Sequence, residues 1–195
     1  MKVIAVNGSA RAEGNTRQLI AMVGDEMKKE GIDIEVVHIG NRPLRGCTAC
    51  MQCWERKNEK CAIDTDVINS LIEKIKAADA LILGSPTYFA DVSAELKAFI
   101  DRAGMVARAN GDLFKRKPGA AVAAVRRAGA LCVFDTINHF FLISQMIVVG
   151  SSYWNLGFGR AAGEVGRDDE GRRTMQDLGL NLAWLLKRLK EKGKE

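Results

Sequence analysis

Four cysteines, Cys47, Cys50, Cys53 and Cys61, fall within fifteen residues in the pattern C-x2-C-x2-C-x7-C. Thiols this close together read as metal ligands or redox groups before they read as structural disulfides. Three thiolates at intervals of three, with a fourth nearby, can wrap one cubane iron–sulfur cluster, as the bacterial C-x2-C-x2-C-x3-C run does. Zinc is less natural, because structural zinc sites usually take two C-x2-C pairs separated by a longer span. Free thiols that cycle oxidatively are the remaining reading. The fifth cysteine, Cys132, stands apart in an apolar stretch and reads as a small buried residue.

The second stretch that could do chemistry is Gly8 to Thr16, GSARAEGNT. Lys2 to Val6 before it reads as a buried strand, and Leu19, Ile20, Val23 and Met27 after it recur at helical spacing. The loop therefore joins a strand end to a helix start, where unpaired N–H groups and the helix dipole favour an anion. Ser9, Asn15 and Thr16 can add side-chain donors and Arg11 a charge. The loop is neither a P-loop nor G-x-G-x-x-G, and its glycines at 8 and 14 suit a compact monophosphate. A plain turn with Thr16 as N-cap is the alternative.

The pattern of Ser9, Arg11, Gly14, Asn15 and Thr16 resembles the FMN-phosphate loop of the flavodoxin-like NAD(P)H-dependent FMN reductases. Gly84-Ser85-Pro86-Thr87-Tyr88-Phe89, followed by Ser93 to Lys97 and Asp101-Arg102, is similar to that family's isoalloxazine loop and the helix after it. The resemblance implies that Pro86, Thr87, Tyr88 and Phe89 hold the ring; standing alone, Tyr88 and Phe89 read as packing residues beside a turn, and the pairing with the first loop reverses that. Arg126 to Gly129 is the third loop expected at the same crevice. Backbone N–H groups of Arg127, Ala128 and Gly129 can meet the pyrimidine edge of the flavin, while either arginine side chain can instead be a solvated surface group.

With the cysteine motif included, the chain resembles the iron–sulfur flavoproteins of anaerobic microbes over nearly its whole length. That resemblance implies one [4Fe–4S] cluster on Cys47, Cys50, Cys53 and Cys61, near FMN at a subunit interface. Two departures stand out: the seven residues between Cys53 and Cys61, and Asp64-Thr65-Asp66-Val67 where Asp-Asp-Met commonly follows the last cysteine.

The elements that must position these residues alternate strand and helix. A second strand ends at Ile39 and is followed by a long loop, 41–64, with no periodicity. Val67 to Ile75 marks a helix capped by Thr65 or Asp66, and Ala80 to Gly84 a third strand. After the loop Ser85 to Val92, Ser93 caps a helix carrying Leu96, Phe99, Ile100 and Ala103. Gly119 to Val125 is a fourth strand, Leu131, Phe134, Ile137, Asn138 and Phe141 mark the next helix, and Met146 to Gly150 is a fifth strand. A glycine-rich stretch, Ser151 to Gly171, leads to a last helix with Met175, Leu178, Leu182, Leu185, Leu186 and Leu189 on its apolar face. Five β–α units predict an α/β, flavodoxin-like fold: one domain over residues 1–195, a parallel sheet of order 2-1-3-4-5 and helices on both faces. Ligands then bind beyond the carboxyl ends of the first and third strands, where the strand order reverses.

Composition narrows the function. The net charge of +5 includes +3 from the last nine residues, where Lys187, Arg188, Lys190, Lys192 and Lys194 oppose Glu191 and Glu195 at a solvated helix end. Nucleic-acid binding is therefore disfavoured, and the remaining charge suits an anionic cofactor or an acidic redox partner. No apolar run is long enough to span a membrane and no cleavable leader is expected, which together predict a cytoplasmic protein. His38 and His139, the only histidines, pair with no nucleophile, which disfavours a hydrolytic triad. Trp54, Tyr153 and Trp154 read as packing or subunit-contact residues; the resemblance to the flavodoxin-like reductases implies a homodimer or homotetramer, with Ser152 to Gly159 the candidate interface.

The expected function is an FMN oxidoreductase passing electrons between FMN, a [4Fe–4S] cluster and a carrier such as ferredoxin or a small-molecule acceptor. A cluster-free NAD(P)H-dependent FMN or quinone reductase, and a flavin/thiol electron carrier or redox sensor, are the alternatives.

Overall fold

The computed structural model describes residues 1–192. In chain order the elements are β1 (Lys2–Asn7), α1 (Asn15–Lys29), β2 (Asp33–His38), α2 (Gln52–Arg56), α3 (Ile68–Ala77), β3 (Ala80–Pro86), α4 (Ala94–Ala109), β4 (Pro118–Val125), α5 (Ala130–Ile143), β5 (Ile147–Val148), β6 (Leu156–Phe158), a 3-10 turn (Glu164–Arg167) and α6 (Asp169–Lys192). The sheet runs β2-β1-β3-β4-β5, every pairing is parallel, and β6 also pairs with β4. The order 2-1-3-4-5 and the flavodoxin-like fold are borne out.

Strand side chains alternate between two cores. Ile4, Val6, Leu81, Leu83, Ala121 and Ala123 point to the face covered by α3, α4 and α5. Val3, Ala5, Ala80, Ile82, Ala120 and Val122 point to the face covered by α1 and α6. Because both faces are buried, β1, β3 and β4 carry almost no polar residue, as parallel strands under helices require. Phe99 and Phe141 are fully buried on the first face, each contributing about 1.5–3 kcal/mol relative to exposure.

Four expectations need correction. The loop 41–64 contains a helix, α2, because Met51 and Lys57 take left-handed conformations that bracket one short turn. The fifth strand is split: β5 pairs with Pro118 and Gly119 at the start of β4, the chain leaves the edge, and β6 returns to pair with Ala123 to Val125 at its end. Helix α5 is rotated from the expected face, burying Ala130, Val133, Ile137, Phe140 and Phe141 while Leu131 lies exposed. The same rotation leaves Cys132 exposed rather than buried.

Helix α3 begins at Ile68, with Val67 at the cap position and the Asp66 carboxylate accepting the Ile68 N–H at 3.0 Å. Ser93 caps α4 as expected, its hydroxyl accepting the Leu96 N–H at 3.3 Å. On α6 Met175, Leu178, Leu182 and Leu186 are buried while Leu189 is largely exposed. Lys194 and Glu195 of the basic tail lie outside the described residues. Among the described residues no helix is long and apolar enough to cross a membrane.

Candidate functional site

The loop from Gly8 to Gly14 leaves the end of β1 and is folded back on itself by local hydrogen bonds. The Gly8 N–H bonds the Gly84 carbonyl at 2.9 Å, which fixes the loop to the end of β3. Asn7, fully buried, accepts the Ser9 N–H at 3.1 Å and donates to the Ala12 carbonyl at 3.0 Å. His38 meets the Ser9 carbonyl at 2.8 Å from the neighbouring strand. Gly40 presses so close that an added Cβ would lie 1.9 Å from the Ser9 carbonyl oxygen. Gly14 is the N-cap of α1, and a Cβ there would reach the Arg11 carbonyl at 3.1 Å.

This compact turn leaves the N–H groups of Asn15, Thr16 and Arg17 at the start of α1 without an acceptor among the described residues. The Thr16 hydroxyl is buried with no partner, the Ser9 hydroxyl is buried nearby accepting the Arg11 N–H at 3.2 Å, and Arg11 is exposed. An orphaned hydroxyl beside three free N–H groups fits a phosphate dianion. The Asn15 side chain does different work. It donates to the Ala161 carbonyl and accepts the Gly163 N–H, both at 2.9 Å, so it anchors the loop after β6 and offers the site only its backbone N–H.

At the end of β3, Thr87 is tied to β4 through its N–H and hydroxyl, which meet the Ala124 carbonyl at 2.8 and 3.1 Å. Tyr88 and Asp91 then exchange backbone hydrogen bonds at 2.9 and 3.1 Å, closing a tight turn around Phe89 and Ala90. Both central residues have positive φ, +45° and +65°, as a type I′ turn requires and as Asn-Gly would adopt more readily. The turn holds Phe89 fully exposed and Tyr88 half-exposed at the crevice mouth. The third loop lies against it: Gly129 has φ +86°, and a Cβ there would meet Ala90 and Thr87 at 3.3 Å. Arg127 and Ala128 are exposed, and the N–H groups of Arg127, Ala128 and Gly129 have no acceptor among the described residues. All three loops thus meet at the carboxyl ends of β1, β3 and β4, with free donors at two places and aromatic surface between.

Cys47, Cys50, Cys53 and Cys61 line one small cavity against α4, closed by Arg102, Met105 and Val106. Cys53 is buried on α2, Cys61 is half-buried, and Cys47 and Cys50 are exposed. The Ala49 N–H reaches Cys47 Sγ at 3.4 Å. The backbone N–H of Gln52 holds the Cys50 thiol below its ordinary range, whereas burial pushes the Cys53 thiol up. Four soft thiols around one cavity, with N–H groups and a cation at hand, form a donor set that suits an iron–sulfur cluster. Among the described residues no three His, Cys, Asp or Glu side chains are grouped as they are around a single metal ion.

Arg102 organises this region. It is 1% exposed, pairs with Asp66 at 2.5 Å, and donates to the carbonyls of Ile63 at 2.6 Å and Arg45 at 3.2 Å. Its Nε reaches Cys61 Sγ at 3.3 Å, so one buried guanidinium ties both ends of the cysteine loop to α4. The sequence carried a signal for it: Arg102 sits three residues after Phe99 and four before Val106, on the buried stripe of its helix. His139 and the aromatic pair Tyr153 and Trp154 lie exposed, the latter with ring centroids 6.1 Å apart.

A parallel sheet with this strand order, and a phosphate-type loop at its switch point, define a flavodoxin-like flavoprotein. The chain belongs to the NADPH-dependent FMN reductase family, whose model matches residues 1–161, and it is an FMN-dependent oxidoreductase. It is 39% identical over 198 aligned residues to an iron–sulfur flavoprotein of Methanocaldococcus jannaschii, covering 98% of this chain and 100% of that one. It is 34% identical to an iron–sulfur flavoprotein of Methanosarcina thermophila over 154 residues, 78% of each chain. Among solved structures, RosB superposes with a TM-score of 0.73 at 19% identity, over 98% of this chain and 81% of that one. The Trp repressor binding protein of Bacillus subtilis gives 0.65 at 21%, over 90% and 96%; both show the shared fold.

Proposed function

We propose that this protein is an iron–sulfur flavoprotein, in which Cys47, Cys50, Cys53 and Cys61 hold a [4Fe–4S] cluster and single electrons are exchanged with a carrier such as ferredoxin. The observation that carries the proposal is the convergence of all four motif cysteines on one cavity beside a buried guanidinium. Bound FMN supplies hydride and electron-pair chemistry, and a bound cluster supplies one-electron transfer. The chain's own residues do the positioning. Ser9, Arg11 and Thr16, with the N–H groups of Asn15 to Arg17, hold the phosphate; Gly14 lets the loop close over it. Pro86, Thr87, Tyr88 and Phe89 hold the ring, and the N–H groups of Arg127, Ala128 and Gly129 meet its pyrimidine edge, where they stabilise negative charge. Arg102 offsets thiolate charge at Cys61 and keeps the loop 41–64 against α4.

Iron and acid-labile sulfide measured on anaerobically purified chain test this reading. About four of each per chain are expected, falling sharply in Cys50→Ser and Cys61→Ser; an iron-free chain that still binds FMN refutes the cluster. A second reading, an NAD(P)H-dependent FMN or quinone reductase with no cluster, is favoured by the family match over residues 1–161. Rapid aerobic NAD(P)H oxidation by iron-free chain selects it. The proposal includes a homo-oligomer formed through the stretch Ser152 to Gly159, a reading supported by the exposure of Tyr153, Trp154 and Phe158. A sedimenting monomer at micromolar concentration contradicts that assignment.

A further inference from the structure

The four motif sulfurs do not share one electrostatic setting. Backbone N–H groups face Cys47, from Ala49 at 3.4 Å, and Cys50, from Gln52. A cation also acts on Cys50, but that cation, Arg56, is exposed, where solvent and salt screen its charge. At Cys61 the donor is the Arg102 guanidinium, Nε to Sγ at 3.3 Å, on a side chain that is 0% exposed. A positive charge taken out of water is screened far less, so it acts on its neighbours more strongly.

Two further residues fix that contact. Asn69 of α3 accepts the Cys61 N–H at 2.8 Å and donates its amide to the carbonyls of Cys61 at 3.0 Å and Ile63 at 3.3 Å. The backbone of Cys61 is thus held from α3 and its sulfur from α4. Asp66, whose side chain is 7% exposed, pairs with Arg102 Nη1 at 2.5 Å. Its charge damps that of Arg102 without cancelling it, because it is the guanidinium that touches the sulfur.

We infer that Arg102 is a positioning residue that sets the reduction potential of the cluster, by holding a desolvated positive charge and an N–H donor against Cys61. The inference rests on the cluster reading. Each electron added makes a thiolate-ligated cluster more negative, so a buried cation stabilises the reduced form more than the oxidised one and raises the potential. Asp66 acts with the opposite sign. A purely mechanical role for Arg102 has a different signature: a loosened loop admits water, which solvates the more negative reduced form better and raises the potential when Arg102 is removed.

Stepwise reduction of the FMN-loaded full chain with dithionite, one electron per cluster, followed by electron paramagnetic resonance of the reduced cluster, reads the midpoint potential. Iron and acid-labile sulfide are counted in every variant. Asp66→Asn, which keeps the guanidinium, should raise the midpoint. Adding Arg102→Gln to Asp66→Asn leaves no orphaned carboxylate and should lower the midpoint from there by ~59 mV or more, a tenfold change in the one-electron equilibrium constant. Arg102→Lys in the same background keeps the charge, loses the planar fork and should fall between. Asn69→Ala frees the Cys61 backbone at unchanged charge and should not lower the midpoint. A midpoint unchanged or lowered by Asp66→Asn, unchanged or raised by Arg102→Gln, or lowered as far by Asn69→Ala overturns the inference. Loss of iron from both Arg102 variants while Asp66→Asn keeps it also overturns it, since Arg102 then holds the loop and does not tune the potential. An iron-free wild-type chain refutes the cluster reading itself, whereas an iron-loaded chain whose midpoint ignores residue 102 refutes only the inference.

Discussion

Replacing Arg102 with methionine removes a buried cation that joins the cysteine loop to α4. In the native protein its side chain is wholly buried, its partner Asp66 is nearly so, and two carbonyls and a thiol depend on it. Methionine keeps much of the packing volume but leaves the Asp66 carboxylate without its countercharge. Breaking one side of such a pair costs about 3–5 kcal/mol. Chemical denaturation under anaerobic conditions reads this loss directly. Asp66→Asn in the same chain removes the orphaned charge and keeps an oxygen for the Ile68 N–H, so the double variant should recover about 1–3 kcal/mol. Thiol labelling should also accelerate at Cys53 and Cys61, since the loop is released. FMN affinity should hardly change, because Arg102 lies nine residues along α4 from its Ser93 cap, ~13 Å of helix from the crevice. A loss below about 1 kcal/mol, or no rescue by Asp66→Asn, refutes the role given to Arg102.

Thr16→Val removes a buried hydroxyl that has no protein partner, so stability should hold or rise while FMN affinity, followed by flavin fluorescence, drops roughly tenfold. Gly40→Ala forces a Cβ onto the Ser9 carbonyl and should abolish FMN binding, with altered near-ultraviolet circular dichroism. Replacing Phe89-Ala90 by Asn-Gly suits the positive φ values and should raise the unfolding free energy, read by chemical denaturation, by about 1–3 kcal/mol, while weakening ring binding through loss of the aromatic surface. Hydrogen bonds from Lys2 and Lys74 hold the Glu35 carboxyl below its ordinary range. Its contribution is therefore complete above the usual carboxylate pKa and fades as pH falls through the lowered one. Glu35→Gln should flatten the acid-side loss of stability by under about 1 kcal/mol, the pair being largely solvent-screened.

The sheet order was legible because β1, β3 and β4 are uninterrupted apolar runs separated by helices of regular period. The broken fifth strand was not. Two residues in β5 and three in β6 are too short to show alternation, and only their pairing with opposite ends of β4 makes them one edge. The face of α5 was misread for a related reason: ALCVFDTINHFFLI is apolar nearly all round, so no stripe distinguishes one side, and Cys132 went with the wrong one. At the site, spacing alone gathered the four cysteines, and loop position gathered the donors of the crevice. What escaped was who bonds whom: the Asn15 amide reaches residues 161 and 163, and Arg102 reaches back to residues 45, 61, 63 and 66. Contacts between residues so distant in sequence leave no local pattern.

Titration of flavin-free chain with FMN, followed by quenching of flavin fluorescence, tests most directly whether the three loops form the cofactor crevice. One FMN per chain should bind; Thr16→Val should weaken binding and Gly40→Ala abolish it, while Arg102→Met does neither. Quenching that is absent, or that is indifferent to both loop substitutions, places the flavin somewhere other than the ends of β1, β3 and β4.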